Sequence, residues 1–253
     1  MGSSNVDING SDDEKPVHTN KTAAYWLGST EITNAQFSPF VLSDGYSNQR
    51  YWTAAGWAWR REQQITQPGC WNDANLNQSN QPVVCVSWYE TISFAAWLSA
   101  QSGLDVRLPT EAEWEKAARG VKGLLYPWGN EFDDNQANYC DRNCPYGWRD
   151  EAGDDSFVRT AAVGSYPKNS SPYGALDMAG NVWEWTTTLF RSYPYKSDDR
   201  REELTGEGSR VARGGSWSNR SLFVRAAERF SAEPTDRNDN LGFRLLVAVP
   251  AEN

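Results

Sequence analysis

The chain has 253 residues, 39% of them hydrophobic, which is enough for one large domain or two small ones. Its single His (His18) excludes a His-rich metal site, and 24 basic against 33 acidic residues give a net charge of −9 that repels nucleic-acid backbones. No apolar run approaches the ~18 residues of a membrane-spanning helix.

Residues 1–22 form a polar N-terminal segment without the basic start and apolar stretch of a signal peptide, so the default expectation is a cytoplasmic protein. Tyr25–Leu27 reads as a short strand. Thr33 caps a predicted helix over 34–42, with Phe37, Phe40 and Val41 on one face. From 46 to 82 the sequence is rich in Asn, Gln, Gly and Trp, and it predicts a long loop pinned by Trp52, Trp57, Trp59 and Trp71. Ser87-x-x-Glu90 is a capping box that opens a helix over 88–101, ended by Gly103. Thr110-x-x-Glu113 opens a second, shorter helix that stops at Gly120. Its acids sit near the start and Lys116 and Arg119 near the end, matching the helix dipole.

Beyond residue 121 helical periodicity disappears. Short strands alternate with turns: Tyr126–Asn130, Val163–Tyr166, Asn181–Thr186, Arg210–Ser216 and Gly242–Val249. The pattern predicts an α+β chain with few short strands and helices and high loop content. No shift in composition divides 23–249, which reads as a single domain. Cys70, Cys85, Cys140 and Cys144 allow three disulfide pairings, and the spacing does not choose among them. In a cytosol all four would be reduced.

Several long motifs occur in order. They are Glu31-Ile32-Thr33-Asn34, Arg107-Leu108-Pro109-Thr110-Glu111-Ala112-Glu113-Trp114-Glu115, Tyr126-Pro127-Trp128-Gly129, Ser171-Pro172-Tyr173-Gly174, Asp177-Met178-Ala179-Gly180-Asn181-Val182-Trp183-Glu184-Trp185, Arg213-Gly214-Gly215-Ser216-Trp217 and Gly242-Phe243-Arg244. Together they resemble the formylglycine-generating enzyme (sulfatase-modifying factor) family from about residue 1 to 249. The resemblance implies a C-type-lectin-like fold of the formylglycine-generating-enzyme subtype. Within it, Trp183 and Trp185 read as core residues and Glu111 and Glu113 as caps. Arg213, Arg225, Arg229 and Arg244 read as buried ion-pair and backbone contacts, and His18 as structural.

Members of the family that oxidise a substrate cysteine carry a reactive Cys pair after Arg-Gly-Gly-Ser, which binds copper(I). Here the pair falls on or beside Asn219 and near Phe223 or Val224, and the segment contains no Cys. The resemblance therefore implies no copper, no catalytic residue and no enzyme. The family's iron-dependent sulfoxide synthases need three His, and one His excludes that branch too.

The resemblance also implies structural calcium (Ca2+). One site takes the Asn138 amide oxygen, the Tyr139 carbonyl, the Asp155 carboxylate and the Phe157 carbonyl. A second takes carboxylates from Asp177 and Glu184 and carbonyls from Gly180 and Val182. Mixed carboxylate and carbonyl oxygen suits this hard, flexible cation.

The C-terminal part resembles the variable proteins of diversity-generating retroelements, which share the fold. Residues 210–244 match their rewritten region. Frame residues such as Arg213–Trp217, Arg225, Arg229 and Gly242–Arg244 alternate with positions reachable from an AAC codon by changing adenines. The ligand-binding surface then comprises Trp217, Ser218, Asn219, Arg220, Ser221, Leu222, Phe223, Phe230, Ser231, Ala232 and Asp239, with Phe223 and Phe230 as aromatic anchors and Arg220 and Asn219 as polar contacts. The expectation is a non-catalytic ligand-binding protein displaying a variable surface to a protein or small-molecule partner. The alternative is a formylglycine-generating or sulfatase-modifying-factor-type enzyme or accessory factor with altered chemistry.

Overall fold

The computed structural model describes residues 1–4, 7–196 and 198–249. Asn5 and Val6 of the N-terminal segment lie outside the described residues. In chain order the elements are β1 (Tyr25–Leu27), α1 (Asn34–Leu42), α2 (Ala54–Glu62), α3 (Trp88–Ser102), β2 (Val106–Arg107), α4 (Glu111–Arg119), β3 (Trp183–Leu189), β4 (Arg210–Arg213), β5 (Arg229–Ala232), β6 (Leu241–Gly242) and β7 (Leu246–Ala248). Two small sheets result, ordered β1-β7-β2 and β5-β4-β3-β6, antiparallel except for the β3–β6 pair.

The helix ends follow the sequence. Thr33, Ser87 and Thr110 all build capping boxes, with Gln36, Glu90 and Glu113 as the returning side chains. Gly103 closes α3 in the left-handed conformation, at φ +72°. The expected loop at 46–82 contains α2, which the sequence reading missed. Thr53 caps it by accepting the Gly56 N–H at 3.1 Å. Gly56 and the Trp density hid the helical period, and both are explained by packing. A Cβ at Gly56 would meet the Tyr89 ring at 3.0 Å.

Four expected strands shift or vanish for local backbone reasons. Tyr126–Asn130 is a tight turn in which Tyr126 and Gly129 exchange backbone hydrogen bonds of 2.8 and 3.2 Å, and Val163–Tyr166 is turn and irregular chain. The strand expected from Asn181 begins at Trp183 because Asn181 has φ +62°. The strand from Arg210 ends at Arg213 because Gly214 and Gly215 have φ +98° and +74°.

The main core is aromatic. Phe37 stacks on Phe94 at 4.8 Å, and Phe243 meets Phe94 edge-on at 5.7 Å. Buried indoles find partners in distant chain: Trp88 donates to the Thr186 carbonyl at 2.9 Å and Trp185 to the Val86 carbonyl at 3.0 Å. All four cysteines pair, Cys70 with Cys85 and Cys140 with Cys144. The polar N-terminal segment is built into the fold. Asp7 and Glu14 are buried and hold Arg225 at 2.7 and 2.8 Å.

Candidate functional site

The segment after β4 hangs between buried guanidinium groups. Arg213 donates to the carbonyls of Ala226, Ala227 and Glu228 at 2.9, 2.7 and 2.6 Å, and to Glu115 at 2.6 Å. Arg225 anchors the far end through Asp7, Glu14 and Glu228. Arg229 pairs with Glu111 at 2.6 Å. Each guanidinium fork collects loop oxygens that would otherwise be buried without partners. Gly215 lets the loop fold back on itself, since a Cβ there would stand 2.5 Å from the Phe223 carbonyl oxygen.

The loop's outer face is wired to a second loop, 140–150. The Cys140 N–H donates to the Asn219 carbonyl at 2.8 Å. The Trp148 indole donates to the Ser218 carbonyl at 3.1 Å, and Arg220 donates to the Trp148 carbonyl at 3.0 Å. Tyr146 lies flat between Trp148 and Trp217, at 4.5 and 5.9 Å. Behind this stack, Ser216 donates to Asn219 Oδ1 at 2.5 Å and Asn240 donates to Ser218 Oγ at 2.9 Å. Arg159 pairs with Asp239 at 3.0 Å and covers Trp217.

The structure divides the expected ligand contacts. Arg220, Phe223, Phe230 and Ser231 are exposed, and Ser218, Asn219, Ser221, Leu222 and Asp239 are half-buried. Trp217 and Ala232 are buried, at 1% and 2% exposure, so they support the face from beneath. Trp217 is covered by Tyr146 and Arg159. Ala232 lies opposite Arg210 in the β4–β5 ladder. Phe230 stacks on Trp183 at 5.2 Å, away from the Tyr146 stack. The sequence reading missed Tyr146, Trp148 and Arg159, whose signal was an aromatic pair beside the close Cys140/Cys144 spacing.

The positions of a reactive Cys pair carry other groups. Asn219 is tied into the Ser216 network, Phe223 is 39% exposed and Val224 is buried. No cysteine is free, so the chain offers no thiolate at this face.

The first calcium set fits its role chemically. Asn138 is buried and its Nδ2 donates to the Arg159 carbonyl at 2.9 Å, while its Oδ1 has no partner. Burial, with Asp141 alongside, pushes the Asp155 carboxyl up to about 7. Asp155 accepts the Tyr139 and Phe157 N–H groups at 3.1 and 2.8 Å, and the Tyr139 carbonyl accepts the Asp141 N–H at 2.8 Å. The second set differs from expectation at Glu184. Arg244 grips that carboxylate at 2.6 and 2.7 Å and Trp114 donates to it at 2.7 Å, so a guanidinium already neutralises it. Asp177 accepts the Gly164 N–H at 2.5 Å and faces a carboxylate the sequence reading did not include, Glu31. Glu31 is buried with Oε2 unpartnered, and burial beside Asp177 raises both carboxyls. Gly180, at φ +81°, approaches Asn138 so closely that a Cβ would stand 2.2 Å from the Asn138 carbonyl oxygen. Val182 is buried in a small cluster with Leu76 and Val84. Among the described residues no three or more His, Cys, Asp or Glu side chains are spaced to hold a metal ion, so any such site leans on amide and backbone oxygen.

Short, partly mixed sheets, four helices longer than a turn and long ordered loops define an α+β C-type-lectin-like fold of the formylglycine-generating-enzyme subtype. Residues 1–249 match the sulfatase-modifying factor enzyme 1-like domain, and the chain belongs to that family. It is 34% identical over 260 residues to hercynine oxygenase of Mycolicibacterium thermoresistibile, covering 94% of this chain and 54% of the relative. It is 32% identical to the formylglycine-generating enzyme of Streptomyces coelicolor, over 92% of this chain and 81% of the relative. Among solved structures it resembles PvdO of Pseudomonas aeruginosa, with TM-score 0.74, 25% identity, and coverage of 98% and 90%. It also resembles Treponema denticola variable protein 1, with TM-score 0.61, 24% identity, and coverage of 88% and 84%. That second likeness concerns the fold.

These relatives correct the expectation that the chain is not an enzyme. Proteins 32–34% identical over most of the chain are named as enzymes of two kinds. A missing Cys pair speaks only to the chemistry that uses it. The single His counts only this chain, which spans about half the length of the hercynine oxygenases it matches.

Proposed function

We propose that this chain is a sulfatase-modifying-factor-type module of an enzyme, or an accessory factor to one, whose chemistry departs from the thiolate pair. One observation carries the reading. The family match runs from residue 1 to 249, yet the segment after Arg213-Gly214-Gly215 presents Asn219 and Phe223 where thiolates would stand. The face of Trp148, Asn219, Arg220 and Phe223 is the substrate-holding surface. Its guanidinium and aromatic groups orient a ligand, and the buried arginines behind keep it rigid, so little ordering cost falls on binding. The exposure of Arg220, Phe223, Phe230 and Ser231 beside buried frame residues supports ligand contact here.

The test is turnover of two substrates, read by mass spectrometry. One arm uses hercynine with a thiol, ferrous iron and dioxygen, and the other a cysteine-containing peptide with copper and dioxygen. The expected result is saturable binding of one substrate, reduced at least about tenfold in Trp148→Ala/Arg220→Ala. Formylglycine in the peptide, or neither turnover nor binding in either arm, overturns the reading.

A calcium ion belongs at the first set, where the unpartnered Asn138 Oδ1 and the Asp155 carboxylate would hold it with the Tyr139 and Phe157 carbonyls. It would pin loops that carry little secondary structure. The pairing of all four cysteines favours an oxidising compartment over the cytoplasm. No helix among the described residues is long and apolar enough to cross a membrane.

A further inference from the structure

Beside the turn at 126–132 lies an open cleft of about 860 Å³. Its walls are aromatic: Trp128, backed by a parallel stack on Tyr126 at 5.3 Å, and Phe132 set edge-on to Tyr139 at 5.0 Å. Its charged groups are Glu131, Asp133, Asp134 and Asp150, and no Lys or Arg lines it. The hydrogen bonds that Asp133, Asp134 and Asp150 accept come from neutral amides such as those of Asn135 and Ala152.

A second observation points to a ligand. Tyr139 is 1% exposed and lines the cleft, and its buried hydroxyl has no hydrogen-bond partner. Asp134 and Asp150 line the same cleft as Tyr139. A buried hydroxyl of this kind is normally paired. Its oxygen can accept from a donor that also suits the carboxylates.

The occupant must therefore be cationic, bear N–H donors and offer a flat or apolar body to the rings. A metal ion fits poorly, because no cluster of three ligating side chains is spaced for one among the described residues, and aromatic walls give a hydrated ion nothing. A quaternary ammonium lacks the donors. A guanidinium meets all three conditions, since it stacks on an indole and donates in plane to carboxylate and hydroxyl oxygen.

We propose that the cleft between Trp128, Tyr139 and Asp150 binds an alkylguanidinium group, from a free guanidino compound or an arginine side chain of a peptide. The proposal holds whatever reaction the neighbouring face performs.

The test is calorimetric titration of the whole chain with agmatine and, separately, Nα-acetyl-argininamide, with tetramethylammonium and calcium chloride as further arms. The expected result is saturable binding of both guanidines near millimolar Kd, weakened about tenfold in Asp134→Asn/Asp150→Asn and severalfold in Tyr139→Phe. Tighter binding of the argininamide assigns the site to peptides, and tighter binding of agmatine assigns it to small molecules. Circular dichroism melts confirm that the variants are folded. No saturable heat up to about 20 mM guanidine overturns the proposal, as does undiminished binding in the double variant or displacement of agmatine by calcium.

Discussion

The N–H of Cys140 donates to the carbonyl oxygen of Asn219 across 2.8 Å, and Cys140 is itself bonded to Cys144. The disulfide thus fixes the loop that carries Tyr146 and Trp148 onto the face holding Asn219 and Arg220. Sequence separation hides the relationship, because the two loops meet only once the chain has closed on itself.

Removing this bridge is expected to cost about 2 kcal/mol, since the loop it closes is short, and removing Cys70–Cys85 about 3 kcal/mol for its longer loop. Only the first loss disturbs the face. Cys140→Ser/Cys144→Ser should shift Trp148 fluorescence and open 142–150 to protease, whereas Cys70→Ser/Cys85→Ser should lower Tm with the Trp148 signal unchanged. Equal effects on Trp148 from both pairs would refute the link.

Calcium is expected to raise Tm through the first set alone. At a free concentration a hundredfold above Kd, the gain is about 2.7 kcal/mol. Asn138→Ala should abolish the calcium-dependent increment. Glu184→Gln should instead cost about 3–5 kcal/mol with and without calcium, because it strands buried Arg244 without its carboxylate. Melts with calcium and with a chelator separate the two.

Arg225 is shared among Asp7, Glu14 and Glu228, so the cluster has carboxylate to spare. Burial pushes Glu228 up to about 8, while Arg225 and Ser3 hold Glu14 down at about 2. For Glu228 the folded value lies above the ordinary value of 4.5, so the folded state binds the extra proton. Its stabilising contribution is complete below about pH 4.5 and is lost as pH rises through 8. Tm should fall by about 5 °C between pH 5 and pH 8.5, and Glu228→Gln should flatten that decline. A melt series showing the same slope in both proteins would contradict the assignment.

Arg213 tests whether charge or fork geometry holds the site loop. Arg213→Lys keeps the charge opposite Glu115 but cannot reach three carbonyls in one plane. A loss of about 3 kcal/mol in urea unfolding is expected. A loss below about 1 kcal/mol would show that charge alone suffices.

The parts of this fold legible in the sequence were those with local chemistry. Thr33, Ser87 and Thr110 each announce a helix by their own side chain and the one three residues later. The buried roles of Arg213 and Arg244 followed from the family motifs that contain them, and those of Arg225 and Arg229 from the wider resemblance. Residues whose roles are set at a distance were not legible. Tyr146 and Trp148 become part of the face only through Trp217 and Ser218, about seventy residues on. Glu31 entered only as the first residue of a family motif, whereas its buried carboxylate accepts from Asn181, 150 residues away, at 2.9 Å. The absence of a Cys pair was correctly seen but bore on one reaction, and the relatives' names bear on others.

Strand β7 lies between β1 and β2, so residues 246–248 join a strand from the chain's first thirty residues to one near its middle. Arg225 closes onto Asp7 across 218 residues of sequence. In a chain emerging vectorially from the ribosome, neither contact can form until residues 246 and 225 have been made. Its early segments, rich in Trp and Phe, must therefore wait unpaired during synthesis, a period when holding chaperones rather than native contacts keep such surfaces apart.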